Sequence, residues 1–414
     1  MFVTYGAGHA DIVARLVPAL VGRGLPQPAV LALTTAPLLL GKAGVAFKRC
    51  ADYLPMPGYE DAVQKGAELA RDIWSEGSDV SWEETCAYLG VSFCDLERDY
   101  GQAGAQRLFE AEGRKAFCPV HFMMEVLKRE RPDIVVTTCH VRMERATTIA
   151  AQKLGIRSVL IEDLLGYSLL GPYSYGAPGR LIDRAEWPDM AVVMNCAVKA
   201  ILTENGFPPE RVVPLGQPVF SDWKRDYAQA DPCDPFERTR GDRPLISYMT
   251  TPQDEILRPQ SDFLIAMARR RRDLDFIVKL HPSTSEANYR QAFGPFPDNL
   301  RVLSKEPTLN VVKASDLVIL YRSTVGILCL LSATPMIVWD TTGAPELLPY
   351  ASSGAAEWAK SDEALEPLMD RMLAERSARR SPQSHPLFDA PAEASEAIAA
   401  WLEAGAPAKM EDTL

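Results

Sequence analysis

The residues of this chain best suited to chemistry stand where apolar runs give way to turns. Tyr5-Gly6-Ala7-Gly8-His9 separates a short apolar run from a helix-like pattern. Glycines let a ligand approach the backbone, and a helix start offers unpaired N–H groups and a positive dipole end. His9 or Asp11, just inside that helix, can take a proton from a hydroxyl. The turn lacks the third glycine of a dinucleotide fingerprint and the lysine of a P-loop, so it can equally be a tight connection that touches no ligand. Lys279-Leu280-His281-Pro282 ends another apolar run. A histidine leaving a strand end can donate a hydrogen bond to a phosphate, or only to a neighbouring loop. Arg322-Ser323-Thr324-Val325-Gly326 joins a fixed positive charge to hydroxyls and N–H groups at a helix start, an anion-binding set. Ser323 as a plain N-cap is the alternative. Asp340-Thr341-Thr342, after Trp339, can line a base or sugar pocket or form a turn. Ile161-Glu162-Asp163 closes a further strand. There Glu162 can bind sugar hydroxyls or act as a base, Asp163 can be a loop or cap residue, and His140 faces the same rim.

The elements that must carry these turns alternate in type. Phe2–Tyr5 reads as a strand, the apolar positions from Ile12 to Leu20 as one helix face closing at Gly24, and Ala29–Leu33 as a second buried strand. This order opens a doubly wound α/β fold. The stretch from about Tyr59 to Leu127 is helical in pattern and charged, an insertion. Strands follow at Asp133–Thr137 and Ser158–Ile161, with the helix Arg142–Leu154 between them. A Gly/Pro/Tyr-rich loop spans 166–179, and Trp187-Pro188 breaks the pattern. A second βα series runs from Ala191–Met194 through strands at Leu245–Met249, Phe276–Leu280, Val302–Leu303, Leu317–Tyr321 and Met336–Trp339. The expected domains are 1–188, with the helical insertion at about 59–127; 189–385; and 386–414 as a C-terminal helix and tail able to pack back on the first domain. Residues 224–243 read as a surface loop.

Composition narrows the partners. A net charge of −11 argues against a generic nucleic-acid surface or an anionic membrane. An anionic ligand then needs a local set of cations and N–H groups. None of the eight cysteines forms a C-x-x-C pair, and no zinc-ligand spacing appears. With no signal peptide this reads as a reducing, cytoplasmic setting. No apolar run approaches the roughly 20 residues of a membrane helix. A homodimer stays open.

Taken in order, these residues resemble the GT-B superfamily, which holds nucleotide-sugar glycosyltransferases and the non-hydrolysing UDP-N-acetylglucosamine 2-epimerases. Tyr5–His9 looks like the first Gly-rich turn of the transferases. Lys279–Pro282 looks like the His-Pro motif of bacterial capsule, sialyl- and Kdo-transferases, and Ser323–Gly326 like the phosphate-binding serine motif after it. The resemblance implies two Rossmann-like doubly wound parallel-sheet domains facing a cleft. It implies a nucleotide-sugar donor, a glycan or small-molecule acceptor, no required cofactor, no metal, and a place in surface-glycan synthesis. His9, Asp11 and Glu162 are then the catalytic candidates. Gly6, Gly8, His140, Lys279, His281, Pro282, Arg322, Ser323, Thr324, Gly326, Asp340, Thr341 and Thr342 are the binding candidates. Leu328 and Cys329 stand where many UDP-sugar transferases carry a ribose-binding glutamate, which favours a CMP- or CDP-linked donor over UDP. An epimerase-like isomerase is the alternative, with Glu162 at its catalytic-acid position but Cys139-His140 where its aspartate belongs. A non-catalytic nucleotide-sugar binder is the third reading.

Overall fold

The computed structural model describes residues 1–163, 165, 166, 169, 183–236, 241–344, 346, 348–375 and 391–406. Most of the loop expected at 166–179 and the tail after 406 lie outside these residues. The chain divides into two compact units, Met1–Ser221 with Ala390–Leu414, and Asp222–Asp389.

The first unit holds a parallel sheet of strands β1 (Phe2–Thr4), β2 (Val30–Ala32), β3 (Ile134–Thr137), β4 (Arg157–Ile161), β5 (Met190–Val192) and β6 (Val212–Val213), in the order β2-β1-β3-β4-β5-β6. These strands are short, β-branched and almost wholly buried, as a sheet covered on both faces requires. Helix α1 (Gly8–Gly22) lays Ile12, Val13, Leu16, Val17 and Leu20 into the core. Helices α2 (Ala36–Lys42) and α6 (Arg142–Leu154) follow β2 and β3. The expected insertion forms three helices, α3 (Ala62–Ala70), α4 (Trp82–Glu112) and α5 (Val120–Glu130). The helix Ala394–Glu403 belongs to this unit as well: Ile398, Trp401 and Leu402 share one apolar cluster with the buried face of α1.

The boundary expected at 188 is corrected to 221. β5 and β6, which fall inside the expected second domain of 189–385, belong to the first sheet: β5 pairs with β4 and β6 with β5. Trp187, taken as a break, is buried and stacks on Phe207 at 4.7 Å between ring centroids. The polar stretch at 224–243 is also not all loop, since Trp223–Gln229 is helical.

The second unit holds a parallel sheet of β7 (Leu245–Met249), β8 (Asp275–Lys279), β9 (Leu300–Leu303), β10 (Leu317–Leu320), β11 (Met336–Trp339) and β12 (Glu357–Ala359), ordered β12-β11-β10-β7-β8-β9. In both sheets the chain steps outward on one side of a central strand, then returns to that strand's other side. The reversals fall between β1 and β3 and between β7 and β10. At such a reversal the loops beyond the strands' carboxyl ends part, and ligands of open α/β sheets bind there.

Candidate functional site

Backbone strain collects at these edges. Eight non-glycine residues among those described have positive φ. Arg131, Ala333, Glu393 and Ala406 flank helix ends. The other four, Ala7 (φ 59, the N-cap of α1), Thr34 (φ 53), Arg142 (φ 45, the first residue of α6) and Arg322 (φ 38), lie on the connections that leave β1, β2, β3 and β10. Strained non-glycine backbone persists only where surroundings hold it, and functional sites are where it gathers.

In the first unit, the two glycines of the opening turn are demanded for different reasons. A Cβ on Gly6 would fall 1.9 Å from Thr35 Oγ1 and 3.2 Å from the Ala36 nitrogen. Only glycine lets the turn after β1 pass the turn after β2. A Cβ on Gly8 would meet nothing within 4 Å. Gly8 is exposed in the first turn of α1, which no side chain caps. The protein's own packing therefore does not require Gly8. Gly6→Ala is expected to lower the melting temperature, with Thr35→Ala in the same chain restoring part of it. Gly8→Ala is expected to leave the melting temperature within about a degree or raise it slightly, since alanine costs a helix roughly 0.5–1 kcal/mol less than glycine. Differential scanning calorimetry on the three variants checks both.

His9, one residue further, places Nδ1 at 3.5 Å from Asp163 Oδ2, beyond β4. About a quarter of its side chain stays exposed. Burial pushes the Asp163 carboxyl up to about 7. No hydrogen bond closes this gap, so the contact is one of charge: an ionised Asp163 lies near enough to steady the imidazolium once His9 has taken a proton. Asp11 is different: Arg15, one turn along α1, holds its carboxylate through Nε at 3.0 Å. The sequence pointed to His9 but not to its partner.

Two other candidates of this unit are corrected. Glu162 has no exposed surface, and His140 is 1% exposed. Neither side chain can touch a ligand as placed here. Burial, then the charge of Arg145, depresses the His140 imidazole to about 3, so it stays neutral, with neither ring nitrogen hydrogen-bonded.

In the second unit the carboxyl ends of β7, β8, β10 and β11 carry the remaining candidates. The His281 N–H donates to Thr250 Oγ1 at 2.8 Å, tying the turn after β8 to the end of β7. His281 Nδ1 accepts the Ser283 N–H at 3.2 Å and lies 2.8 Å from the Ser283 hydroxyl, which can donate to the same lone pair. In the neutral ring this leaves the proton on Nε2, a donor free to meet an anion. Burial, then the neighbouring Lys279 charge, lowers the imidazole's pKa and favours that neutral form. Pro282 is exposed and shapes the turn. Lys279 itself is corrected: its buried ammonium donates to the carbonyls of Leu280 at 3.1 Å and Ser304 at 3.0 Å, so it braces the strand end.

Arg322, after β10, donates through Nε to Asp340 Oδ2 at 2.7 Å, after β11, and its guanidinium reaches Thr342 Oγ1 at 3.3 Å. Asp340 Oδ1 accepts from the Thr342 N–H at 3.0 Å and hydroxyl at 2.6 Å. Burial alone would raise the Asp340 carboxyl, but the Thr342 hydrogen bonds and the guanidinium outweigh it and hold the group below the usual carboxylate range. Asp340 thus fixes the guanidinium instead of lining a pocket, while Thr341 stays exposed. Ser323 Oγ accepts the Val325 N–H at 3.3 Å, and Thr324 is the N-cap residue of the helix Val325–Leu331. Gly326 answers to Tyr350, which the sequence did not single out: a Cβ there would lie 2.6 Å from that ring, whose hydroxyl donates to the Ser323 carbonyl at 3.0 Å. Among the described residues, no group of three or more His, Cys, Asp or Glu side chains could hold a metal ion. No helix among them is long and apolar enough to cross a membrane.

No family model matches the chain, and no curated protein matches it significantly. Solved structures do resemble it. The UDP-GlcNAc 2-epimerase of Neisseria meningitidis bound to UDP-GlcNAc is 11% identical, with TM-score 0.62 over 97% of this chain and 99% of that one. MnaA of S. aureus with UDP is 14% identical, with TM-score 0.62 over 98% and 96%. The glycosyltransferase SnogD of Streptomyces nogalater is 18% identical, with TM-score 0.51 over 97% and 98%. Two doubly wound parallel sheets, six strands each, give the chain the α/β architecture of these proteins. The chain shares the GT-B-like fold of these epimerases and of this glycosyltransferase.

Proposed function

We propose that the chain is a glycosyltransferase that moves a sugar from a nucleotide-activated donor to a hydroxyl of a saccharide or related acceptor, in surface-glycan synthesis. The observation that supports this most is the approach of His9, in the turn after β1, to within 3.5 Å of Asp163, after β4. His9 Nε2 takes the acceptor's proton as its oxygen attacks the sugar's anomeric carbon. Asp163 stabilises the resulting imidazolium. The bond from that carbon to the donor's phosphate breaks, and the phosphate leaves with the electron pair. Within the second unit, the Nε2–H of His281, the Arg322 guanidinium and the hydroxyls of Ser323 and Thr324 are hydrogen-bond donors of the kind that hold a phosphate. No cofactor enters this scheme.

The epimerase reading is less favoured, because proton exchange at a sugar carbon needs an acid and a base in contact with the ring. Glu162 and His140 are both enclosed. Calorimetry with free CMP, CDP and UDP is the direct test. One of them is expected to bind in the micromolar range, with CMP or CDP ahead of UDP because Leu328 and Cys329 stand near the nucleotide motif instead of a glutamate. Binding of none of the three would sink the proposal. Solvent deuterium appearing in a recovered UDP-sugar would move it to the isomerase reading.

A further inference from the structure

Glu144 is a carboxylate on the buried stripe of α6, together with Thr147, Thr148 and Ala151. Its side chain bridges two loops. Oε1 accepts the Tyr5 N–H at 3.1 Å, from the turn after β1. Oε2 accepts the N–H groups of Thr138 and of Cys139, the latter at 2.9 Å, from the turn after β3. The Thr138 hydroxyl and the Cys139 thiol donate to the same carboxylate. The bridge is doubled by Tyr5, whose hydroxyl accepts the Met143 N–H at 3.2 Å and lies 2.9 Å from the hydroxyl of Tyr88. These are the two loops that part at the sheet's reversal, and the first of them carries His9 four residues after Tyr5.

We propose that Glu144 is a positioning residue: by pinning the backbone of Tyr5 to that of Thr138 and Cys139, it sets where the His9 imidazole stands relative to Asp163. Three backbone donors converge on one carboxylate that has no exposed surface, and a buried donor left unpaired costs about 1–3 kcal/mol. The electrostatics agree, since burial raises the Glu144 carboxyl and a positive charge on the His9 ring opposes that rise. Glu144 touches no reacting atom. It acts through His9 and rests on the transferase reading for its consequence, though not for its geometry.

Two substitutions separate reach from charge. Glu144→Asp keeps the carboxylate but is one methylene short of spanning both loops, and Glu144→Gln keeps the length but turns an amide N–H₂ toward backbone donors. The readout that needs no substrate is the His9 ring tautomer, from ring ¹⁵N shifts of histidine-labelled protein, assigned with His9→Gln. The wild type is expected to hold the proton on Nδ1, facing Asp163. Both variants are expected to shift His9 toward the Nε2–H form. With a donor in hand, kcat should fall at least tenfold in both, with the donor KM within twofold. If folded Glu144→Asp keeps the wild-type tautomer and kcat, the clamp is wrong. If the tautomer moves but the wild type turns over no nucleotide-sugar, the clamp stands and the transferase reading falls. Should neither variant fold, hydrogen exchange on the wild type decides: the Tyr5, Thr138 and Cys139 amides are expected to exchange together as one protected set, and independent exchange overturns the proposal.

Discussion

His9→Ala is expected to lower kcat by about 10²- to 10⁴-fold, the range that a positioned general base supplies. The Kd for the free nucleotide is expected to stay within twofold. The two effects separate because His9 lies in the first unit, whereas the candidate phosphate contacts, His281, Arg322, Ser323 and Thr324, all lie in the second. Steady-state kinetics and calorimetry on the same preparation check this. Asp11→Asn is the useful contrast. That carboxylate is already occupied by Arg15, so its loss should change kcat by less than fivefold. An inert His9→Ala combined with a damaging Asp11→Asn would transfer the base role from one to the other.

Asp163→Asn is expected to make the protein more stable and less active at neutral pH. Burial raises the folded-state pKa of Asp163 to about 7 from an ordinary 3.8. Between those values the folded chain holds a proton that the unfolded chain has released. Stability contributed by the group is therefore present in acid, declines as pH rises through this window, and is fully lost above about 7. Asparagine does not titrate, so the variant's advantage should vanish near pH 4 and grow steadily toward pH 8. Denaturant melts at the two pH values measure it. Above about pH 7, where the carboxyl is ionised, kcat should fall by about 10²-fold or more, because the imidazolium loses its counter-charge. A variant that is less stable at pH 8 would show that the carboxylate is favourably paired there, contrary to this account.

The fold was legible wherever a local signal marked an element. Arg142–Leu154 was read to the residue because a strand precedes it and Gly155, at φ 68, caps it. The series of βα units and the charged helical insertion were equally plain. What the sequence could not supply was which sheet a strand joins. β5 and β6 carry the same apolar signature as the strands of the second unit, and their pairing with β4 is set by packing at long range. Trp187-Pro188 read as a break because proline ends regular structure, yet the indole is packed inside the first unit.

The site followed the same rule. His9, His281 and Ser323 announced themselves by standing at strand-to-helix turns. Asp163 as a partner did not, because it lies more than 150 residues from His9 along the chain. Lys279 and Asp340 had the right chemistry and the right strand ends, but their charges are answered inside the protein, by two carbonyls in one case and by Arg322 and Thr342 in the other. Glu144 did leave a trace, an acidic residue in register with the buried face of α6.

The helix Ala394–Glu403 adds Ala394, Ile398, Ala399, Trp401 and Leu402 to the core around α1, and Arg23 pairs with Glu403 at 2.6 Å. Translated from its amino end, the chain delivers that helix only after every residue of the second unit has been made. The unit that starts first is thus completed last. On the ribosome the second unit can close as soon as its own strands emerge, while α1 waits with one apolar side uncovered. Nascent chains halted before residue 394 should therefore expose the α1 face to protease and to chaperones, and the same face should fall silent once residue 403 has cleared the exit tunnel.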